Sequence, residues 1–212
     1  MNQGLLGYPA TADPAPWAPT FSDIPTWQGP YGQENGTANA ASGTLYCWMF
    51  PVHRPLQIDA MAFRIWGTIA GGTTDVSLAV YTDNRRFPRD KVTSGVIAGL
   101  TSASGTGFFA TTVPRTVLRP GIYWAGLLQV NTSANVLAAQ TIATGVLPRY
   151  LPWMVNGHGT GATPSANAGN DGVAAQQSSL TTLPGRFAGT LRNDANAPSG
   201  QFWITMKTAA AA

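Results

Sequence analysis

The chain has 212 residues, of which 44% are apolar, while only 10% are charged, against about a quarter in a typical globular domain. This length suits one good-sized domain. Surface helices draw on Glu, Lys and Gln, and the chain holds a single glutamate, Glu34, so an all-α fold is strongly disfavoured. The high numbers of glycine (24) and proline (16) favour strands joined by turns instead.

The net charge of +3 comes from scattered basic residues, and the densest group is Arg85, Arg86, Arg89 and Lys91. Nucleic-acid binders usually carry a basic stripe with interleaved aromatic residues, and that pattern is missing, so no nucleic-acid partner is predicted. We interpret the arginine group as a solvated loop tip. The alternative is contact with an anion or a partner, since arginine pairs readily with carboxylates and phosphates.

Two further features of the sequence limit its class. Cys47 is the single cysteine, so no internal disulfide is predicted, and its place between Tyr46 and Trp48 suggests a small buried apolar residue. The first residues lack the basic and apolar regions of a secretory signal, and no apolar run reaches the ~20 residues of a membrane helix. We therefore expect synthesis in the cytoplasm and no membrane insertion.

Residues 1–44 are predicted to form an extended N-terminal docking arm in front of a β-sandwich domain at 45–212. Six prolines argue against helix and against a regular β-ladder. Disordered linkers are poor in aromatic residues, whereas this segment contains Tyr8, Trp17, Phe21, Trp27 and Tyr31. The arm either folds back on its own domain or lies on a neighbouring subunit. Its length favours the second alternative.

A series of short strands is predicted behind the arm, at 45–50, 58–66, 76–81, 91–99, 108–113, 122–128 and 134–142. Strands about ten residues apart, separated by Gly/Pro turns, are typical of a sandwich or a barrel. We predict an all-β fold, an antiparallel β-sandwich with jelly-roll-like connections.

Alternation within these strands predicts which side chains face the core. Met61, Phe63 and Ile65 should share one side of their strand, and Val76, Leu78 and Val80 one side of theirs. The strand 122–128 carries no charge on either side. Its second face must be covered by a loop, by the arm or by another subunit, and a foreign cover would make the protein an oligomer. Pro120-Gly121 in front of it predicts a turn with a positive φ at the glycine.

Residues 148–201 are predicted to form a long irregular insertion before a last strand at 201–208. Irregular segments of this length tend to be functional or disordered. Aromatic rings stack on sugars, and polar side chains can hydrogen-bond them. Candidate glycan contacts are therefore Tyr150, Trp153, Asn156 and His158.

Catalysis is not predicted. Most carboxylates fall at turns, no pair suited to glycoside hydrolysis is recognisable, and there is no nucleophile elbow or P-loop. A single cysteine cannot build a thiolate cage, and a lone loop histidine such as His158 is more often solvated than a ligand, whereas a metal site usually needs three or four ligands. We predict no catalytic residues, no metal and no cofactor.

Three segments between Leu56 and Ile142 resemble a domain that recurs in structural proteins of tailed bacteriophages. They are "QIDAMAFRIW" (57–66), "VSLAVYTDNRRFPRD" (76–90) and "LRPGIYWAGLLQ" (118–129). The moderately specific element is L-x-P-G-x-Y-W, at Leu118, Pro120, Gly121, Tyr123 and Trp124, in register with an upstream Y-x-D-x-x-x-x-P. The resemblance covers about 90 residues of the chain.

The resemblance implies a non-enzymatic β-sandwich module on the surface of a virion, in tail fibres, tail tips or head and neck fibres, and often trimeric. Expected partners are copies of the chain itself, other virion proteins and a host-surface glycan. The long aromatic arm and the insertion at 148–201 depart from the family pattern. They leave open which part of the virion the chain serves.

Overall fold

The computed structural model describes residues 27–28, 34–52, 55–65, 72–85, 87–131, 137–142, 174–191, 201–202 and 204–208. Apart from one turn of 3-10 helix (Ser102–Ser104), the regular elements in these ranges are β-strands. They are β1 (Trp27–Gln28), β2 (Glu34–Ala40), β3 (Leu45–Val52), β4 (Leu56–Ile65), β5 (Thr74–Asp83), β6 (Pro88–Leu100), β7 (Gly107–Leu118), β8 (Gly121–Asn131), β9 (Leu137–Ile142), β10 (Ala174–Gln177), β11 (Thr190–Leu191), β12 (Gln201–Phe202) and β13 (Ile204–Thr208).

The strands form two antiparallel sheets. The first sheet has seven strands in the order β1-β13-β4-β9-β12, with β7 paired to β4 and β2 paired to β9. The second sheet has six strands in the order β11-β10-β3-β8-β5-β6. Apolar side chains from both sheets pack together in one cluster, which confirms the predicted all-β antiparallel sandwich.

Residues with the predicted alternation supply the core between the sheets. Met61, Phe63 and Ile65 of β4 are fully buried there, as are Val76, Leu78 and Val80 of β5. Phe63 also packs its ring against Phe109 of β7, with ring centroids 6.2 Å apart. The period of two therefore identified the core side of both strands correctly.

The chain crosses between the sheets in a Greek key, in which a fourth strand returns to lie beside the first. Strands β5 and β6 form a hairpin in the second sheet, and β7 moves to the first sheet beside β4. Strand β8 then returns to pair with β5. As a result, β5 and β8 lie side by side although they are distant in sequence.

Two segments outside the predicted strands are strands in the structure. Strand β7 continues through Pro114 to Leu118, because the ladder with β4 shifts register between Ile58 and Ala60 and this irregularity takes up the proline. Strand β2 lies inside the predicted arm and pairs with β9. The expectation that prolines prevent a regular β-ladder in the arm is wrong for residues 34–40, because all six prolines precede residue 31.

A close approach of β6 to β7 joins the two sheets at one edge. Thr111 Oγ1 donates a 3.0 Å hydrogen bond to the carbonyl oxygen of Val96. Next to this bond, a Cβ added to Gly95 would lie 2.6 Å from Thr111 Cγ2 and 2.6 Å from the carbonyl oxygen of Thr112. The backbone oxygen cannot move aside as a flexible side chain can.

We expect Gly95→Ala to lower the free energy of unfolding by about 1–3 kcal/mol, because the added methyl group overpacks this edge. Urea unfolding measures the change. Gly185→Ala is the control, since a Cβ at Gly185 meets nothing within 4 Å. Equal stabilities of the two variants would contradict the close approach.

Candidate functional site

The outer face of the second sheet, which looks away from the first sheet, carries a second apolar cluster. Trp124 lies at its centre in β8 and is fully buried, between Met49 of β3 and Tyr81 of β5 in the strand register. We call this group the outer cluster; its buried members are Leu45, Cys47, Met49, Ala79, Tyr81, Trp124, Leu128, Ala175 and Phe187.

Residues 178–189, here called the strap, cover the outer cluster. Phe187 is buried, and Leu180 and Leu183 pack at the margin of the cluster. Backbone hydrogen bonds fix both ends of the strap. The amide of Leu180 donates to the carbonyl of Gly43 at 2.9 Å, and the amide of Phe187 donates to the carbonyl of Arg89 at 2.7 Å.

The strap thus provides the second apolar neighbour of β8. Of the three covers that the sequence left open, a loop of the same chain is the one observed. Neither the arm nor a neighbouring subunit is needed to cover this face, because residues near the end of the predicted insertion already bury Trp124. Part of that insertion is also regular, since β10 pairs with β3 and with β11.

The two halves of the phage-like motif meet in the outer cluster. The indole Nε1 of Trp124 donates a 2.8 Å hydrogen bond to Oδ1 of Asp83, and Asp83 pairs with Pro88 across the β5–β6 turn. The hydroxyl of Tyr81 donates to the carbonyl of Pro184 in the strap at 3.1 Å. Two hydrogen bonds thus tie together residues that are 41 and 103 positions apart in the sequence.

The remaining motif residues join β7 to β8 across the sandwich. Leu118 ends β7 and is fully buried between the sheets. Tyr123 packs on the same inner side against Phe50, with ring centroids 6.0 Å apart. Gly121 begins β8 opposite Val52 in extended backbone, and it is not among the glycines with positive φ. The prediction of a positive φ at Gly121 is wrong, because the chain enters the strand directly after Pro120.

Other predicted site residues lie outside the described residues. They are Tyr8, Trp17, Phe21 and Tyr31 of the arm and Tyr150, Trp153, Asn156 and His158 of the insertion. Trp27 is described through its backbone, which pairs with Lys207 of β13, so this part of the arm folds back on its own domain.

Burial raises the pKa of the Cys47 thiol, and burial, with a smaller contribution from Cys47, raises the pKa of the Tyr81 hydroxyl. Both groups are held neutral beneath the strap. Such a thiol is a poor nucleophile, because the thiolate is the reactive form. Cys47 therefore acts as a packing residue of the outer cluster, as its sequence neighbours suggested.

We expect the protein to lose stability as the pH rises above about 8.5, where an unfolded cysteine releases its proton, and further near about 10, where an unfolded tyrosine does. The folded state keeps both protons, so the unfolded state binds fewer protons and ionisation favours unfolding. Urea midpoints at a series of alkaline pH values measure this loss. The urea midpoint of Cys47→Ala should fall less steeply with rising pH, relative to the variant's own midpoint at neutral pH. Equal slopes for the variant and the wild-type protein would contradict the burial of a neutral Cys47 thiol.

Among the described residues no group of three or more His, Cys, Asp or Glu side chains is placed to hold a metal ion. Within the same ranges no helix is long and apolar enough to span a membrane. No protein-family model matches the chain, and no curated protein shows significant similarity to it. The outer cluster with its strap is therefore the best-defined candidate site, and its geometry is that of a packing centre.

The sequence did not point to the strap. Phe187, Leu183 and Leu180 lie in a stretch rich in Ser, Thr, Pro and Gly, without helical or strand periodicity. The available signal was the spacing of these three apolar residues around Pro184-Gly185. This spacing predicts a covering segment only once it is known that β8, which has no charged residue, must be packed against other apolar residues on its outer face.

Proposed function

We propose that the protein is a non-enzymatic structural component of a bacteriophage virion, in the tail and there in the fibre, tip or receptor-binding region. The observation that carries the proposal is the hydrogen bond from Trp124 to Asp83. It links the two halves of the motif on which the phage resemblance rests. Their spacing in the sequence thus has a physical reason, as expected for one folded module rather than two chance matches.

We propose further that the chain assembles with copies of itself, as a homotrimer. The strap already covers the outer cluster, so that face does not support assembly with other copies. The support for assembly comes from β7. Its side chains Phe108 and Val117 are 54% and 56% exposed. Among the exposed side chains between them, Ala110, Thr112 and Pro114 are uncharged and Arg115 is charged. A long strand with large apolar side chains in solvent favours contact with another subunit.

We also propose that the strands of the sandwich are connected as in a jelly roll. A jelly roll contains two Greek keys, and the described strands contain the one formed by β5, β6, β7 and β8. The jelly-roll-like connection of the remaining strands stays a prediction, as does the docking arm, whose residues 1–26 lie outside the described residues.

Two alternative functions remain from the sequence. The first is a module that binds host-surface glycan through Tyr150, Trp153, Asn156 and His158. The second is a head decoration or capsid fibre protein, which differs only in its place on the particle. In each case the chain needs no cofactor, and its synthesis takes place in the cytoplasm of the bacterial host.

Immunogold labelling of purified phage particles tests the proposal directly. Antibody raised against the full chain should label the tail, and light scattering behind size exclusion should give a trimer. Label on the head would favour the decoration alternative, whereas particles that lack the chain altogether would refute a virion role. A monomer at high concentration would refute the assembly claim alone.

A further inference from the structure

Arginine side chains from three separate connections gather at one end of the sandwich. Arg85 lies in the β5–β6 turn and Arg119 in the β7–β8 connection. The register puts both at the same end, since the start of β8 lies beside the ends of β3 and β5. Arg186 of the strap joins them through its bridge to Asp90 near the start of β6.

The positive charge of this end is not neutralised within the described residues. Arg85, Arg119 and Arg186 are exposed and make no hydrogen bond or ion pair there. Asp83, whose Oδ1 accepts the bond from Trp124, and Asp90, whose Oδ2 lies 3.3 Å from Nε of Arg89, supply two negative charges. The four positive charges of Arg85, Arg89, Arg119 and Arg186 exceed them, so the net charge of this group is positive. We call Arg85, Arg89, Arg119 and Arg186 the basic end.

The backbone of Arg85 supports a role beyond solvation. Its φ of 55° lies in the left-handed region, which a residue with a side chain adopts at a cost, and a glycine would fit this position better. Residues held in such conformations often mark functional sites. Here the conformation keeps a guanidinium group at the tip of the turn.

We propose that the basic end binds an acidic polysaccharide through its carboxylate or phosphate groups. Guanidinium groups match the planar geometry of these anions with paired hydrogen bonds. Arg85, Arg119 and Arg186 on three separate connections can contact several groups of one polymer at once, which multiplies weak individual contacts. This inference does not depend on the virion assignment.

Two other classes of polyanion, single-stranded nucleic acid and acidic protein, fit the basic end less well. Single-stranded nucleic acid needs exposed aromatic faces for base stacking, whereas the aromatic residues described at this end are buried or half-buried: Phe87, Tyr123, Trp124 and Phe187. An acidic protein needs a desolvated apolar centre. Val117 is the one large apolar side chain described at this end that is strongly exposed, and it does not form such a centre alone.

Biolayer interferometry with the full chain tests the proposal. The probes are polygalacturonate for carboxylate groups, phosphorylated dextran for phosphate groups and neutral dextran as the reference. Oligothymidylate and polyglutamate represent the two competing classes. The variants are Arg85→Gly, whose glycine suits the left-handed backbone, and the triple variant with Arg119→Gln and Arg186→Gln added. Arg64→Gln is the control for Arg85→Gly, since each removes one positive charge and Arg64 lies at the opposite end of the sandwich, beside Phe108.

We expect binding to at least one acidic polysaccharide, weakened by salt as the Debye length falls to about 8 Å near physiological ionic strength. The triple variant should lose about tenfold or more in affinity, a change of about 1.4 kcal/mol. Arg64→Gln should bind like the wild type. The proposal is overturned if the triple variant binds normally, if no acidic polysaccharide binds better than neutral dextran, or if oligothymidylate or polyglutamate binds more tightly than both.

Discussion

Trp124→Ala is expected to lower the free energy of unfolding by about 3–5 kcal/mol, the usual cost of removing a large buried aromatic side chain. Trp124 is fully buried between the second sheet and the strap. Its loss leaves a cavity at the centre of the outer cluster and removes the donor to Asp83. Urea unfolding followed by circular dichroism measures the effect without relying on tryptophan fluorescence.

Asp83→Asn separates the packing of the Trp124 ring from the carboxylate charge of Asp83. The asparagine keeps an oxygen that can accept from the indole, so we expect a change below about 1 kcal/mol. If Asp83→Asn were as destabilising as Trp124→Ala, the carboxylate charge and not the buried ring would hold this region together.

Phe187→Ala is expected to cost about 3–5 kcal/mol and to expose the outer cluster. Phe187 is 4% exposed, and it packs edge-on against Tyr81 and Phe87 with ring centroids 6.4 Å and 5.2 Å apart. Without it, the strap loses its main apolar contact. The Cys47 thiol should then react with a thiol reagent under native conditions, whereas in the wild-type protein it should react only on unfolding.

The matched control lies next to Phe187 in the strap. Ala188 is exposed, and its amide donates to Oε1 of Gln177 through the backbone alone. Ala188→Ser should therefore leave both stability and thiol reactivity near their wild-type values. If the Cys47 thiol stayed unreactive in folded Phe187→Ala, residues other than Phe187 would cover the outer cluster, and the prediction would be wrong.

Most of the sandwich follows from local patterns in the sequence. Large apolar residues recur at every second position in residues 61–65 of β4 and 76–80 of β5 and supply the core, and the Gly- or Pro-containing segments 101–106 and 119–120 connect consecutive strands as predicted. Strand β10 was missed because "AAQQ" has no β-branched or aromatic residue. It is a strand because β3 and β11 pair with it, and tertiary context outweighs propensity for such short segments.

The candidate site could be predicted only in part, because its pieces are distant in sequence. The doubly apolar character of residues 122–128 showed that a cover was needed, but not which segment supplied it. The backbone of Arg186 lies beside that of Asp90 only because the strap docks on β6. The basic cluster in the sequence therefore revealed Arg85 and Arg89 but not Arg119 or Arg186.

The central claim is that the chain covers its own second apolar face. A disulfide between Asp90→Cys and Arg186→Cys tests it most directly, since these positions face each other in the bridge between strap and β6 and such close pairs suit disulfide geometry. Isotopically labelled and unlabelled chains are unfolded together, refolded and oxidised, and the linked peptide is examined by mass spectrometry. We predict linked peptides in which both halves come from the same chain. Pairs that mix labelled and unlabelled halves would show that a neighbouring subunit supplies the strap and would contradict the account.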